Sequence, residues 1–209
     1  MTDYVYIVDD DSTIREELSE ALSDADRVVR SFADGQSLLA ELGGLEPGCI
    51  LLDLAMPGLD GLAVQRALVA CGAPHEVIML TGAGNVGAAV AAMRAGASDF
   101  LEKPFSGRAL MAAIEASLAR IAANGKARAA SDRAAALISR LSPREHDVLV
   151  GLVEGAPNKI VAYNLGLSIR TVEVYRAHAM AKLGVKSLTD ATRIALAAGL
   201  IEPNLPAFS

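Results

Sequence analysis

Tryptophan is absent from this 209-residue chain, and aromatic residues make up only 4% of it. Its apolar positions are filled mainly by alanine and leucine, which favours helices. Two cysteines occur, Cys49 and Cys71, without metal-ligand spacing. That excludes a disulfide framework or a cysteine-built metal site as the organising device, and Cys49, inside an apolar run, reads as a small core residue. No apolar stretch reaches the roughly 20 residues needed to span a bilayer, and the Ala-rich segment 88–97 is interrupted by Arg94. A basic-then-apolar export signal is also missing, since Asp3 follows at once. These absences lead to the expectation of a cytoplasmic protein with no membrane partner.

What is present points to two different parts. Hydrophobic residues make up 52% and charged residues 21%, a globular composition. The net charge of −6 conceals an asymmetry: residues 1–120 carry 8 Lys/Arg against 18 Asp/Glu, a balance of −10, whereas 121–137 and 138–209 each carry +2. An acidic front and a mildly basic back suggest separate tasks, although +2 is weak support for nucleic-acid binding without further signs.

In the first part short apolar runs alternate with helical patterns. Strands are expected at Tyr4–Val8, Val28–Ser31, Cys49–Leu52, Val77–Leu80 and Phe100–Leu101. Helices are expected at Ser12–Ser23, Gly35–Leu42, Gly61–Val69, Val86–Ala95 and Ser106–Ile121, with Ser12 as the first cap and Gly96 ending the fourth helix. Asp11 reads as a capping or solvated residue, and His75, after Pro74, as an exposed loop residue. Such alternation predicts an α/β fold, a doubly wound five-stranded parallel sheet. Ligands of these sheets bind outside the carboxyl ends of the strands. Five polar residues stand there: Asp9, Asp10, Asp53, Thr81 and Lys103.

That set suits a hard divalent cation beside a phosphorylated carboxylate. Mg²⁺ takes oxygen ligands and keeps several waters. Asp10 and Asp53 are the natural direct ligands, Asp9 the holder of a bound water, and the backbone carbonyl of Ala55 completes the set. Thr81 and Lys103 suit phosphate oxygens, by hydroxyl donation and by charge. Lys103 precedes Pro104, and a cis peptide there would direct the ammonium at the rim. Each residue alone has a plainer explanation, as a cap, a turn or a surface charge; their joint order along the chain does not.

The segments Ile7-Val8-Asp9-Asp10-Asp11-Ser12, Leu52-Asp53-Leu54-Ala55-Met56-Pro57-Gly58-Leu59-Asp60-Gly61, Leu80-Thr81-Gly82 and Lys103-Pro104-Phe105 resemble the receiver domain of two-component response regulators over about residues 3–121. The resemblance implies the flavodoxin-like arrangement, Asp53 as phosphoacceptor of a sensor histidine kinase, and Mg²⁺ as cofactor. It gives Phe100 the place of an aromatic that reorients when Thr81 moves.

From Leu141 the pattern changes. Ser142-Pro143-Arg144-Glu145 is a capping box with Pro at the first helical position. Helices follow at about 143–154, 158–165, 169–183 and 187–199. Residues 158–183 read as helix, tight turn, helix, with the second helix capped by Ser168 and suited to the major groove of DNA. Val172, Ala179 and Leu183 form its core stripe. Glu173, Val174 and His178 are candidates for base edges, with Thr171 beside them, and Lys159, Arg170 and Lys182 for phosphates. Arg176, next to the core stripe, is expected to pair with Glu145.

Leu141–Glu145, Asn158–Ala162, Arg170–Arg176 and Lys182-Leu183 resemble the LuxR-type four-helix DNA-binding domain, and the combination resembles the FixJ-like branch of response regulators. The expected domains are a receiver at 1–121, a largely helical linker at 122–137, weakened at Asn124-Gly125, and a helix-turn-helix domain at 138–209. The resemblance implies a phosphorylation-switched homodimer on double-stranded promoter DNA, with the fourth C-terminal helix often supplying a dimer contact. It leaves room for RNA polymerase as a further partner and implies no enzyme activity beyond the receiver's own phosphoryl transfer and dephosphorylation. Two rivals are a phosphorylation-independent regulator and an aspartyl-phosphate phosphatase. The complete acidic set argues against the first. Ala55, where a phosphatase would want a carboxylate, argues against the second.

Overall fold

A computed structural model describes residues 2–23, 27–82 and 86–202. The chain divides into two compact units, Met1–Asn124 and Gly125–Ser209. The last residues of the expected C-terminal domain, 203–209, lie outside the described residues.

The first unit alternates β1 (Asp3–Val8), α1 (Ser12–Leu22), β2 (Arg27–Phe32), α2 (Gly35–Glu41), β3 (Cys49–Asp53), α3 (Gly61–Ala70), β4 (Glu76–Thr81), α4 (Val86–Arg94) and β5 (Asp99–Glu102), followed by the start of α5 (Gly107–Ile138). The strands are all parallel, in the order β2-β1-β3-β4-β5, the doubly wound arrangement of flavodoxin-like proteins. Because side chains alternate across a strand, the central apolar runs feed two cores. Tyr6, Val8, Ile50, Leu52 and Met79 pack with Leu38, Val64 and Leu68 of α2 and α3. Val5, Ile7, Cys49, Leu51, Ile78 and Leu80 pack on the other face with Leu18 and Leu22 of α1 and with Leu110 and Ile114 of α5. Burial on both faces explains why β3 reads as a continuous apolar run.

Two details differ from the expectations, and a third, the helical linker, follows them. The cap of α1 is Asp11, whose carboxylate accepts from the Thr13 amide at 2.8 Å; Ser12 is the first helical residue. His75 is half-buried: its Nδ1 accepts from the Gly48 amide at 3.2 Å, and its ring meets Tyr6 edge-on. The segment 122–137 carries no break, and α5 runs from Gly107 through Asn124-Gly125 to Ile138. A β-carbon at Gly125 would touch nothing, so the only penalty there is the intrinsic cost of glycine in a helix.

The second unit holds α6 (Pro143–Val153), α7 (Asn158–Leu165), α8 (Ile169–Leu183) and α9 (Leu188–Ala197). Both halves of the Ser142/Glu145 capping box are formed. Gly166 ends α7 in the left-handed conformation (φ 66°), and the Ser168 hydroxyl accepts from the Thr171 amide to start α8. This turn lets Val172 pack on Val148, Leu152, Val161 and Ala162.

Candidate functional site

The strand ends bring the acidic rim together as the topology requires. Register pairs Val8 with Leu52 and Asp53 with Leu80, so Asp9 and Asp53 leave adjacent strands at one level. Both are buried. The peptide before Pro104 is cis. The Lys103 ammonium donates to Asp9 Oδ2 at 2.7 Å and to Asp53 Oδ1 at 2.6 Å. Burial works against its charge, but hydrogen bonds to Asp53 and Asp9 outweigh that and raise its pKa. The remaining oxygens are also used: Asp9 Oδ1 accepts from the Asp11 amide at 2.9 Å and Asp53 Oδ2 from the Ala55 amide at 2.8 Å.

Asp10 is exposed, beside this pair in sequence. Its main chain is held by a residue that sequence reasoning passed over. Arg15 Nη1 donates to the carbonyls of Asp9 at 2.8 Å and of Asp10 at 3.0 Å. The only signal was position, one turn into the helix that follows the acidic pair. Gly61 was also undervalued. A β-carbon there would collide with the Asp53 carbonyl and with Leu54, so α3 starts close behind the acidic loop only because residue 61 lacks a side chain.

Thr81 ends β4 and is buried, and its carbonyl accepts from the Lys103 amide at 2.8 Å. Phe100 of β5 pairs with Met79, so alternation puts it on the same sheet face as Thr81. Phe100 is 41% exposed and lines a groove of about 400 Å³ with Ala89, Val90, Met93 and Arg94.

The donor chemistry fits a hard cation. Among the described residues no three His, Cys, Asp or Glu side chains gather as a protein-built metal cage would need. Mg²⁺ asks for less, one or two carboxylates with waters. Asp9 and Asp53 already face one common point, where Lys103 places its charge.

In the second unit Arg170, Glu173, Val174 and His178 of α8 are exposed, as are Ala177 and Ala181, while Val172, Ala179 and Leu183 are buried. Lys159 is exposed on α7. Thr171 is half-buried, its hydroxyl 2.7 Å from Ser168 Oγ. The expected Arg176–Glu145 pair is not formed. Lys182 takes that place, with Nζ 2.6 Å from Glu145 Oε2, and His178 Nδ1 lies 4.0 Å from Oε1. The Lys182 hydrogen bond, then the Ser142 amide, lower the Glu145 carboxyl to about 2. Lys182 is therefore tied to α6 and is less free to reach a phosphate than Lys159 or Arg170.

Comparison with known proteins agrees with both halves. The family model described as the response regulator receiver domain matches residues 5–115, and that of bacterial regulatory proteins, luxR family, matches 139–195. Transcriptional regulatory protein FixJ of Bradyrhizobium diazoefficiens is 40% identical, over 95% of this chain and 97% of the relative. FixJ of Azorhizobium caulinodans is 44% identical, over 94% and 93%. Among solved structures, response regulator StyR aligns with TM-score 0.79 and 36% identity, over 93% of this chain and 98% of that one. Full-length FixJ from B. japonicum aligns with TM-score 0.59 and 40% identity, over 97% and 100%.

Proposed function

The chain belongs to the DNA-binding response regulators of two-component systems, with a receiver domain and a luxR-family domain in one polypeptide, and on that premise we propose that phosphorylation of Asp53 by a sensor histidine kinase controls its hold on promoter DNA. The family is one of transcriptional regulators and not a known enzyme class. In this reading the only chemistry is gain and loss of the chain's own phosphoryl group, in the cytoplasm.

The observation that carries the reading is the convergence of Lys103 on Asp9 and Asp53, which come from positions 94 and 50 residues away. An Asp53 oxygen forms a bond to phosphorus as the bond to the donor's imidazole nitrogen breaks, leaving an acyl phosphate on the chain. Lys103 then meets one phosphoryl oxygen with its charge, and the Thr81 hydroxyl donates to another. Mg²⁺, which receiver domains generally bind, would be held by Asp9, Asp10, Asp53 and the Ala55 carbonyl, and would neutralise charge on the transferring group.

A shift of Thr81 toward the phosphoryl group frees space on its own sheet face, and Phe100 repacks into it. The apolar surface of Val90, Met93 and Phe100, all more than two-fifths exposed, then joins a second copy. Two linked helix-turn-helix domains hold a two-part site far more tightly than one. Glu173, Val174 and His178 approach base edges, and Lys159, Arg170 and Lys182 phosphates, with Thr171 beside them. RNA polymerase is a further contact of the DNA-bound dimer.

The test is beryllofluoride or acetyl phosphate with Mg²⁺ on wild type and Asp53→Ala, read by mass and oligomeric state. A phosphoryl adduct with acetyl phosphate, and a dimer with either reagent, are expected for the wild type alone. No adduct at Asp53, or one oligomeric state throughout, would sink the reading.

A further inference from the structure

We propose that Arg15 is a positioning residue of the acidic rim, holding the main chain of Asp9 and Asp10 so that the Asp10 carboxylate is set for the cation. The proposal deepens the reading of the rim given above and rests on it.

Among the described residues Arg15 leaves unused the ion pairs that its surroundings offer. It stands among Asp9, Asp10, Asp11, Glu16, Glu17 and Glu20, yet among the described residues it forms no ion pair with any of them. One guanidinium nitrogen is spent on two successive carbonyls, at 2.8 and 3.0 Å. Two donor bonds from one rigid planar group hold the main chain of the β1–α1 turn.

The two aspartates differ in how much they need this. Asp9 is buried, and both of its carboxylate oxygens have partners, the Asp11 amide and Lys103. Asp10 is exposed, and its carboxylate has no hydrogen-bond partner among the described residues. The direction of Asp10 is therefore set by its backbone alone, and Arg15 is the side chain that holds that backbone. Groups that orient metal ligands commonly change affinity by about 10- to 100-fold when removed.

Charge and position predict opposite signs, which makes the idea sharp. A guanidinium close to a cation site repels the cation, so a merely electrostatic Arg15 would weaken Mg²⁺ binding. Its removal would then tighten binding. A positioning Arg15 does the reverse.

The experiment titrates MgCl₂ calorimetrically into the unphosphorylated full chain, as wild type, Asp10→Asn, Arg15→Ala, Arg15→Gln and Arg15→Lys. The rate of Asp53 phosphorylation by acetyl phosphate is followed in parallel against Mg²⁺ concentration. Arg15→Ala is expected to raise the Mg²⁺ dissociation constant about tenfold, with the rate at saturating Mg²⁺ falling less than the affinity. Arg15→Lys and Arg15→Gln, each still able to donate to a carbonyl, recover part of the loss; should Arg15→Ala fail to fold, these two against wild type carry the comparison. Wild-type affinity or tighter in Arg15→Ala, or, where that variant does not fold, in both Arg15→Gln and Arg15→Lys, with Asp10→Asn weakened, overturns the proposal and leaves the reading of the rim standing. Failure of the wild type to bind Mg²⁺, or an Asp10→Asn variant that binds as well as wild type, brings down that reading and the proposal together.

Discussion

Glu145 sits at the third position of α6, inside the second unit, with Lys182 and the Ser142 amide on its carboxylate. Its carboxyl lies at about 2 in the folded protein against 4.5 when free. A depressed folded value means that the contribution is fully present above pH 4.5 and is lost as pH falls from there toward 2. Thermal melts of wild type and Glu145→Gln should therefore differ most near neutrality and converge below pH 3; a constant gap across that window would contradict the assignment. Lys103 gives a second test. Lys103→Met leaves Asp9 and Asp53 facing each other without a cation, and since the lysine side chain is about a quarter exposed, a loss of about 1–3 kcal/mol is expected, below the range for fully buried pairs. Added Mg²⁺ should restore much of it in a denaturant titration. Both partnerships escaped sequence reasoning in part. Glu145 was legible as a capping residue, but periodicity within α8 cannot tell whether Arg176 or Lys182 ends nearest to a residue on another helix.

At Gly125 the helix continues through a weak spot, as the Ala-rich flanks lead one to expect. Asn124-Gly125 weakens the helical pattern, but α5 continues through it, because a glycine costs only about 1 kcal/mol against alanine and the flanks are strong helix formers. Gly125→Ala should therefore stabilise the chain by roughly 0.5–1 kcal/mol, since nothing stands where the new methyl would go; an unchanged or lower melting temperature would show that the helix is not continuous there in solution. In α8 the opposite kind of element control operates. Ser168 accepts from Thr171 at the start of the helix whose exposed side is the candidate DNA face, so Ser168→Ala should cost about 1 kcal/mol and weaken DNA binding without altering phosphorylation. Helix positions and the core stripe of α8 were readable from spacing alone. The cap of α1 moved by one residue to Asp11, because aspartate and serine are both good caps and only backbone geometry chooses between neighbours.

For the chain as a whole, the acidic first unit and the mildly basic second unit predict separable losses. Val90→Asp should leave Asp53 phosphorylation intact and abolish the proposed phosphorylation-dependent dimer, as read by analytical ultracentrifugation with acetyl phosphate and Mg²⁺. A variant that still dimerises would move the contact away from the Phe100 groove. Lys159→Ala and Arg170→Ala should each lower the slope of log affinity against log salt by about 1, measured on promoter fragments, while Lys182→Ala, whose charge is engaged by Glu145, should change it less.

The places of the strands along the chain, the five polar residues at their ends and the core stripe of α8 could all be read from the chain, because burial on one face or two leaves a local period in the residues. Partners could not. That Lys103 bridges Asp9 and Asp53, that Arg15 turns from nearby carboxylates to two carbonyls, and that Lys182 takes Glu145 were settled only by packing. Local periodicity states which way a side chain points along its own element. Which group it meets depends on how separate elements are brought together, and no window of sequence contains both ends of that contact.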